Sequence, residues 1–354
     1  MRILLWMPTG AAVPGGHRVQ FRMTAEALRR AGVEVTECSD PEPDLTPYDV
    51  VHGAGMSHAQ VQRCRLMRRP VAISTIYGGP AHVVPRPRHE LMRTLPGALF
   101  RGARLTRAVI EGHGPVVRVS LGELRQEVGS ALSYAAADIL LPNAIGEAEA
   151  LERDWGLATP SHVVPNGVSP ELFGDESGDD PGLRRRVICV GRLEPHKNQL
   201  GLIRALRGTG VPLAIVGPRH PHHSQYVAEC HRAGDGWVEF LGNVDHSELA
   251  AIYQTARVHV LPSWFETTGL VSLEAALCGC NVVSTSRGYA SEYLVDMAWY
   301  CDPSDPKSIR RAVLAAWESP VRTALAERVR NYYTWDHVAS ATIAGYRKIA
   351  SSGW

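Results

Sequence analysis

The sequence predicts an α/β protein of two domains, each a parallel β-sheet with helices against it, and three observations carry that prediction. Short apolar runs recur along the chain, bounded by glycine, proline or asparagine, as strands buried on both faces require. Longer segments with apolar residues at helical spacing alternate with them. The chain has 354 residues, more than one core usually holds, so two domains are expected.

Composition narrows the function classes. Hydrophobic residues make up 45% and charged residues 21%, the balance of an ordinary globular protein. Net charge is +1, too small to draw nucleic acid or an anionic membrane to the chain as a whole. The N-terminus lacks a charged segment followed by an apolar core, and no apolar run is long enough to span a bilayer, so a cytoplasmic location is expected. Seven cysteines without a CxxC pair argue against a disulfide framework or a structural zinc site.

In order, Arg2 to Met7 is a buried first strand, and Phe21, Ala25 and Leu28 mark one face of the helix after it. Between them lies a loop with Gly15 and Gly16. Glycines there let a phosphate or sugar ring approach the backbone, although such a pair also makes a plain turn. The pattern is not GxGxxG, which disfavours a nicotinamide enzyme. Asp49 to His52 ends another strand, where His52 either packs or touches substrate. The next strand, Pro70 to Thr75, runs into Ile76 and Tyr77.

Residues 84–125 carry eight arginines against Glu90, Glu111 and Glu123. Such a stretch suits a phosphorylated or lipid-linked acceptor or peripheral contact with the inner face of a membrane, or is simply a solvated surface. Phe100 is its single aromatic residue, so a nucleic-acid partner is not expected. Ala137 to Pro142 is a strand and Ala144 to Arg153 a helix. Val163 to Val168 reads as a strand with a turn at Asn166 and Gly167, and the acidic, Gly/Pro-rich stretch after it reads as a linker.

The second half opens with the strand Val187 to Val190. Arg192 and Lys197 follow, at the start of a helix continuing through Leu200, Ile203 and Leu206. Two cations at a strand end and a helix N-terminus form a diphosphate clamp: guanidinium binds two oxygens, ammonium is a point charge, and helix amides assist. Pro212 to Gly217 is the next strand. The loop after it holds His220, His222 and His223, which have no acidic partner at ligand spacing and are expected to face water rather than a metal. Val238 to Leu241 leads into Gly242, Asn243 and Val244, and Ser247 to Ala256 is a helix. Val258 to Leu261 is a strand, Pro262 to Thr268 a loop, Gly269 to Cys278 a helix and Asn281 to Ser284 a strand. Glu266 and Glu274 flank the helix start, an anion site by its dipole. Acids beside an anion site suit hydroxyl groups. Helices follow at Ser308 to Trp317 and Arg322 to Tyr332, and a closing segment runs to Tyr346.

Glu266 and Glu274, with seven residues between them, among these Gly269-Leu270, and Cys278-Gly279 after, resemble the E-x7-E signature of retaining GT-B-fold glycosyltransferases, especially family four. The glycine loop, the PNGV segment at Asn166, GRLEPHKN, the Gly242–Val244 loop and the closing segment extend the resemblance over nearly the whole chain. It implies two Rossmann-like domains facing across a cleft: residues 1–165 for the acceptor, a linker at 166–185, residues 186–333 for the nucleotide-sugar, and 334–354 crossing back to the first domain. It further implies transfer of a sugar, with retention, from a UDP- or GDP-sugar to a hydroxyl of a glycan, lipid-linked or small-molecule acceptor. Arg192, Lys197 and Glu266 are then catalytic. Gly16, Val244, Thr268, Gly269, Leu270 and Glu274 bind the donor, with Glu274 on the ribose and Glu266 on the sugar. Gly15, His52, Tyr77 and Asn166 are sugar or acceptor contacts. No cofactor and no metal are expected. Where many relatives carry a histidine after the third strand, this chain has Ile76 or Tyr77. Two rivals stay in view, a same-fold epimerase or hydrolase and a catalytically silent scaffold, and that departure lends weight to the second.

Overall fold

The protein, here a computed structural model, is described at residues 1–8, 16–77, 121–174 and 184–350. These group into two compact units, Met1–Asn166 with Trp335–Trp354, and Gly167–Thr334.

Unit 1 runs β1 (Arg2–Trp6), α1 (Gly16–Arg30), β2 (Glu34–Cys38), β3 (Val50–Gly53), α2 (His58–Leu66), β4 (Val71–Ser74), α3 (Leu121–Ala136), β5 (Ile139–Leu141) and α4 (Ile145–Trp155). Its five strands lie in the order β2-β1-β3-β4-β5, and each pair is parallel. The inner strands are apolar runs buried on both faces; β2, at the edge, is half exposed and carries Glu34 and Glu37. Charge on an edge strand blocks pairing with another chain, and it also hides the strand from a search for apolar runs. Ser57 and Gln60 form a reciprocal cap that starts α2. The core joins Ile3, Leu5, Leu28 and Val50 to Trp335, Val338 and Tyr346 of the helix Trp335–Ala350.

Unit 2 runs β6 (Arg186–Val190), a 3₁₀ turn (Pro195–Lys197), α5 (Gln199–Leu206), β7 (Leu213–Val216), α6 (Ser224–Gly234), β8 (Val238–Gly242), α7 (Leu249–Gln254), β9 (Ala256–Leu261), α8 (Leu270–Leu277), β10 (Asn281–Thr285), α9 (Ala290–Leu294), β11 (Trp299–Cys301), α10 (Pro306–Glu318) and α11 (Ala324–Tyr332); α12 (Trp335–Ala350) then belongs to unit 1. The six strands are parallel in the order β11-β10-β9-β6-β7-β8. Val187, Cys189, Val258 and Val260 build the core with Leu202, Ile203, Leu206, Ile309 and Val313 from the helices.

Two sequence expectations need correction. Residues 163–168 form no strand: Ser161 and Val168 make isolated bridges to Leu140 and Thr334, because Pro165 supplies no N–H for a ladder. Arg192 and Lys197 do not open a helix either. Lys197 closes the 3₁₀ turn, Asn198 reverses the backbone at φ +56°, and only then does α5 begin.

Candidate functional site

Unit 2 reverses its strand order between β6 and β9, and in such sheets the crevice beyond the strand C-termini at that point receives ligands. The loop after β6 carries Arg192 and Lys197; the loop after β9 carries Glu266 and Thr268. The structure brings Lys197 and Glu266 together. Lys197 Nζ donates to Glu266 Oε1 at 2.6 Å, with the two side chains 22% and 7% exposed.

The backbone holds this pair in place. Asn198 Nδ2 donates to the carbonyls of Pro262 and Pro303, at 3.1 and 2.9 Å, and Trp264 N donates to His196 O at 2.9 Å. Gln199 Nε2 fixes the carbonyl of Arg192 at 2.8 Å. Glu266 N donates to Arg287 O at 3.2 Å, and Glu266 O accepts from Tyr289 N at 2.8 Å. Gly288, at φ +103°, makes that bridge; a Cβ there would stand 2.1 Å from Glu266 O. Only glycine permits so close an approach.

Gly269 precedes α8 in the left-handed region at φ +72° and supplies no capping side chain, an arrangement of helix start that suits an anion. Thr268 is buried beside it. Glu274 lies one turn further along α8 and meets different partners from Glu266. His246 Nε2 is 3.0 Å from Glu274 Oε1, and Tyr253 Oη donates to Oε2 at 3.2 Å. Burial, and then the neighbouring carboxylate, raise the Tyr253 pKa well above its ordinary value, which keeps it a donor. Val244, half-buried, stands two residues before His246, in the loop whose start is tied to the end of β7 by Gly217 N donating to Gly242 O at 2.7 Å. Sequence reading missed His246 and Tyr253. The available signal was the acid itself: a glutamate inside LVSLEAAL has to find donors.

The loop after β7 pairs with the loop after β6, Leu193 bridging Arg219. His220 Nε2 is 3.7 Å from Glu194, and its ring lies 4.4 Å from His223. Among the described residues, no group of three or more His, Cys, Asp or Glu is placed to hold a metal ion.

In unit 1, His52 and Tyr77 are engaged internally. His52 is 2% exposed; its Nδ1 lies 2.6 Å from Tyr346 Oη and its Nε2 2.8 Å from Ser74 Oγ. Burial lowers its pKa to about 3, so the ring is neutral and braces the sheet against α12. Tyr77 is buried, donates its hydroxyl to Asp154 at 3.0 Å and packs on Trp155. Both placements favour packing over contact with a sugar. Glu147, in the first turn of α4, accepts from Thr75 Oγ1, Tyr77 N and Asn143 N, each at 2.8 Å, and burial pushes its carboxyl up to about 7. Gly16 is the first residue of α1, and Asn166 is buried at the end of the unit. Gly15, residues 84–120 of the arginine-rich stretch and residues 175–183 of the expected linker lie outside the described residues.

Fold and site together define the class, a two-domain GT-B-type α/β protein. The sucrose-phosphate synthase of Thermosynechococcus elongatus shares the fold over 100% of both chains, with a TM-score of 0.76 at 18% identity. Anabaena HepE, solved with UDP-glucose, shares it over 99% of each chain, with a TM-score of 0.66 at 18% identity. The chain belongs to the glycosyl transferases group 1 family. The family model matches residues 176–333, and the D-rhamnosyltransferase WbpZ of Pseudomonas aeruginosa is 31% identical over 352 residues, covering 90% of this chain and 87% of its own. The chain spans about half the length of the first curated relatives it matches.

Proposed function

We propose that the protein is a retaining glycosyltransferase that moves a sugar from a UDP- or GDP-sugar to a hydroxyl of a glycan, lipid-linked or small-molecule acceptor. The observation that carries this is the Lys197–Glu266 pair at the strand reversal of unit 2. A cation for the diphosphate and an acid for hydroxyls stand one hydrogen bond apart, as a sugar diphosphate requires on either side of its anomeric carbon. The family and the UDP-glucose complex of HepE support the donor class.

When the bond from the anomeric carbon to the diphosphate breaks, negative charge grows on the leaving oxygen and positive charge on the sugar ring. Lys197, Arg192 and the first amides of α8 stabilise the leaving diphosphate, while Glu266 orients the sugar through its hydroxyls. The acceptor hydroxyl attacks from the same face and gives its proton to the departing oxygen, so one C–O bond breaks as another forms and configuration is kept. Glu274 holds the ribose. The chemistry uses no cofactor or metal, and the nucleotide-sugar is a substrate. We place the protein in the cytoplasm, with any membrane contact made through residues 84–125; among the described residues, no helix is long and apolar enough to cross a membrane.

Thermal shift against UDP, GDP, ADP and dTDP and their sugar conjugates tests the donor, since a ligand bound to the native state raises its melting temperature. Stabilisation by UDP or GDP that is lost in Arg192→Ala supports the assignment. Stabilisation by none of them sinks it. With a donor in hand, NMR of the product's anomeric proton decides retention, and release of free sugar or an epimer instead of a glycoside would replace transfer by the hydrolase or epimerase reading.

A further inference from the structure

Glu274 lies between Leu273 and Ala275 in a helix whose other side chains are apolar or small, and it is 6% exposed. A carboxylate in such surroundings needs its lone pairs filled. Each of its oxygens has about two acceptor positions. Tyr253 fills one on Oε2 and His246 fills one on Oε1. That leaves one position on each oxygen, the arrangement that two hydroxyls on adjacent carbons satisfy together.

The two donors differ. Tyr253 is fully buried, whereas the His246 side chain is 50% exposed, in the turn between β8 and α7. His246 is nevertheless braced: Phe173, buried, meets its ring edge-on at 5.2 Å. The Phe173 segment is in turn tied down by Cys278 Sγ, 3.3 Å from Phe173 O, and by Gln254 Nε2, which donates to Gly174 O at 3.1 Å. Facing a carboxylate oxygen, Nε2 must carry the proton, because two lone pairs would repel.

We propose that His246 is a positioning residue for ribose: it fixes the plane of the Glu274 carboxylate so that both open acceptor positions meet the 2′- and 3′-hydroxyls of the nucleotide, and the site thereby selects ribonucleotides over 2′-deoxyribonucleotides. The proposal rests on the nucleotide-sugar reading above. With the plane held, a missing 2′-hydroxyl leaves a buried acceptor unsatisfied. With the plane free to turn, the carboxylate re-pairs and the penalty fades.

Calorimetric titration of the full chain with UDP, 2′-deoxy-UDP, GDP and 2′-deoxy-GDP tests it in the parent, His246→Leu and His246→Gln. In the parent, the ribo form of the accepted nucleotide should bind about tenfold or more tighter than its deoxy form. In His246→Leu the ratio should fall toward one; in His246→Gln, whose amide can donate in the same direction, it should recover. With the donor sugar, His246→Leu should raise KM and leave kcat unchanged, because the ribose contact is equal in ground and transition states. A parent-like ratio in His246→Leu overturns the proposal, whether or not the melting temperature falls, and leaves the donor reading standing. If the parent binds none of the four, the donor reading fails and the proposal with it.

Discussion

Each sheet reverses its strand order once, between β1 and β3 in unit 1 and between β6 and β9 in unit 2. At both reversals the later strand carries a buried histidine, His52 in β3 and His259 in β9, and burial lowers each pKa to about 3. The difference lies beyond the strand ends. Unit 2 places a lysine and a glutamate at its crevice, each fixed by backbone contacts from neighbouring loops. In unit 1, the described polar groups at β3 and β4 are paired within the unit: His52 with Tyr346 and Ser74, and Glu147 with the loop after β4. A reversal of strand order thus carries a charged pair in one unit and a buried polar network in the other, and under the proposed function the first serves a ligand while the second serves the fold. That is how a duplicated plan divides chemistry from support.

The strongest test of this contrast pairs Lys197→Ala with His52→Ala. Lys197→Ala should lower kcat by about 10²–10³-fold, the scale for losing a donor to developing charge, with the fold retained by circular dichroism. His52→Ala should cost about 2–4 kcal/mol through a cavity and two lost hydrogen bonds, read by chemical denaturation, while kcat per folded molecule stays near the parent value. If His52→Ala abolished turnover in a stable protein, the contrast would break. Next in size, Gly288→Ala should displace Glu266 and lower kcat at least tenfold. An unchanged rate would mean that Glu266 does not need its present position.

A pH series sharpens the comparison further. Between its ordinary 4.5 and about 7, native Glu147 holds a proton that the unfolded chain has released. Its stabilising contribution is therefore full below 4.5 and lost as pH rises through about 7. His52 acts in the opposite sense: its contribution is full above 6.5 and lost as pH falls toward about 3. The melting-temperature difference between Glu147→Gln and the parent should grow in the variant's favour from about pH 5 to about pH 7.5. A flat difference would place Glu147's titration elsewhere. Smallest of all, Tyr77→Phe should cost ~1 kcal/mol by losing its bond to Asp154, with kcat unchanged; a collapse of kcat would make Tyr77 a substrate contact after all.

Much of the fold was legible because buried parallel strands are apolar and punctuated, as β1, β6 and β9 are. The edge strand β2 was not, since Glu34 and Glu37 break the pattern that marks its neighbours. Lys197 and Glu266 could be named from their loops, but their contact is a meeting of residues 69 apart that only the sheet order creates. The partners of Glu274 were hidden for the same reason: His246 and Tyr253 precede it by 28 and 21 residues. The surroundings of Tyr77 could not be read from the sequence, because a tyrosine at a strand end looks available until Asp154 and Trp155, on α4, arrive beside it.

One feature of the chain path reaches beyond the site. Val168 N donates to Tyr333 O at 2.9 Å and bridges Thr334, so the segments by which the chain enters and leaves unit 2 are bonded to each other. Unit 2 is a contiguous insert with adjoining ends, whereas unit 1 waits for α12 to deliver Trp335, Val338 and Tyr346 to its core. During synthesis the second unit can therefore be complete while the first still lacks its final layer. A helix made after unit 2 thus closes a sheet made before it.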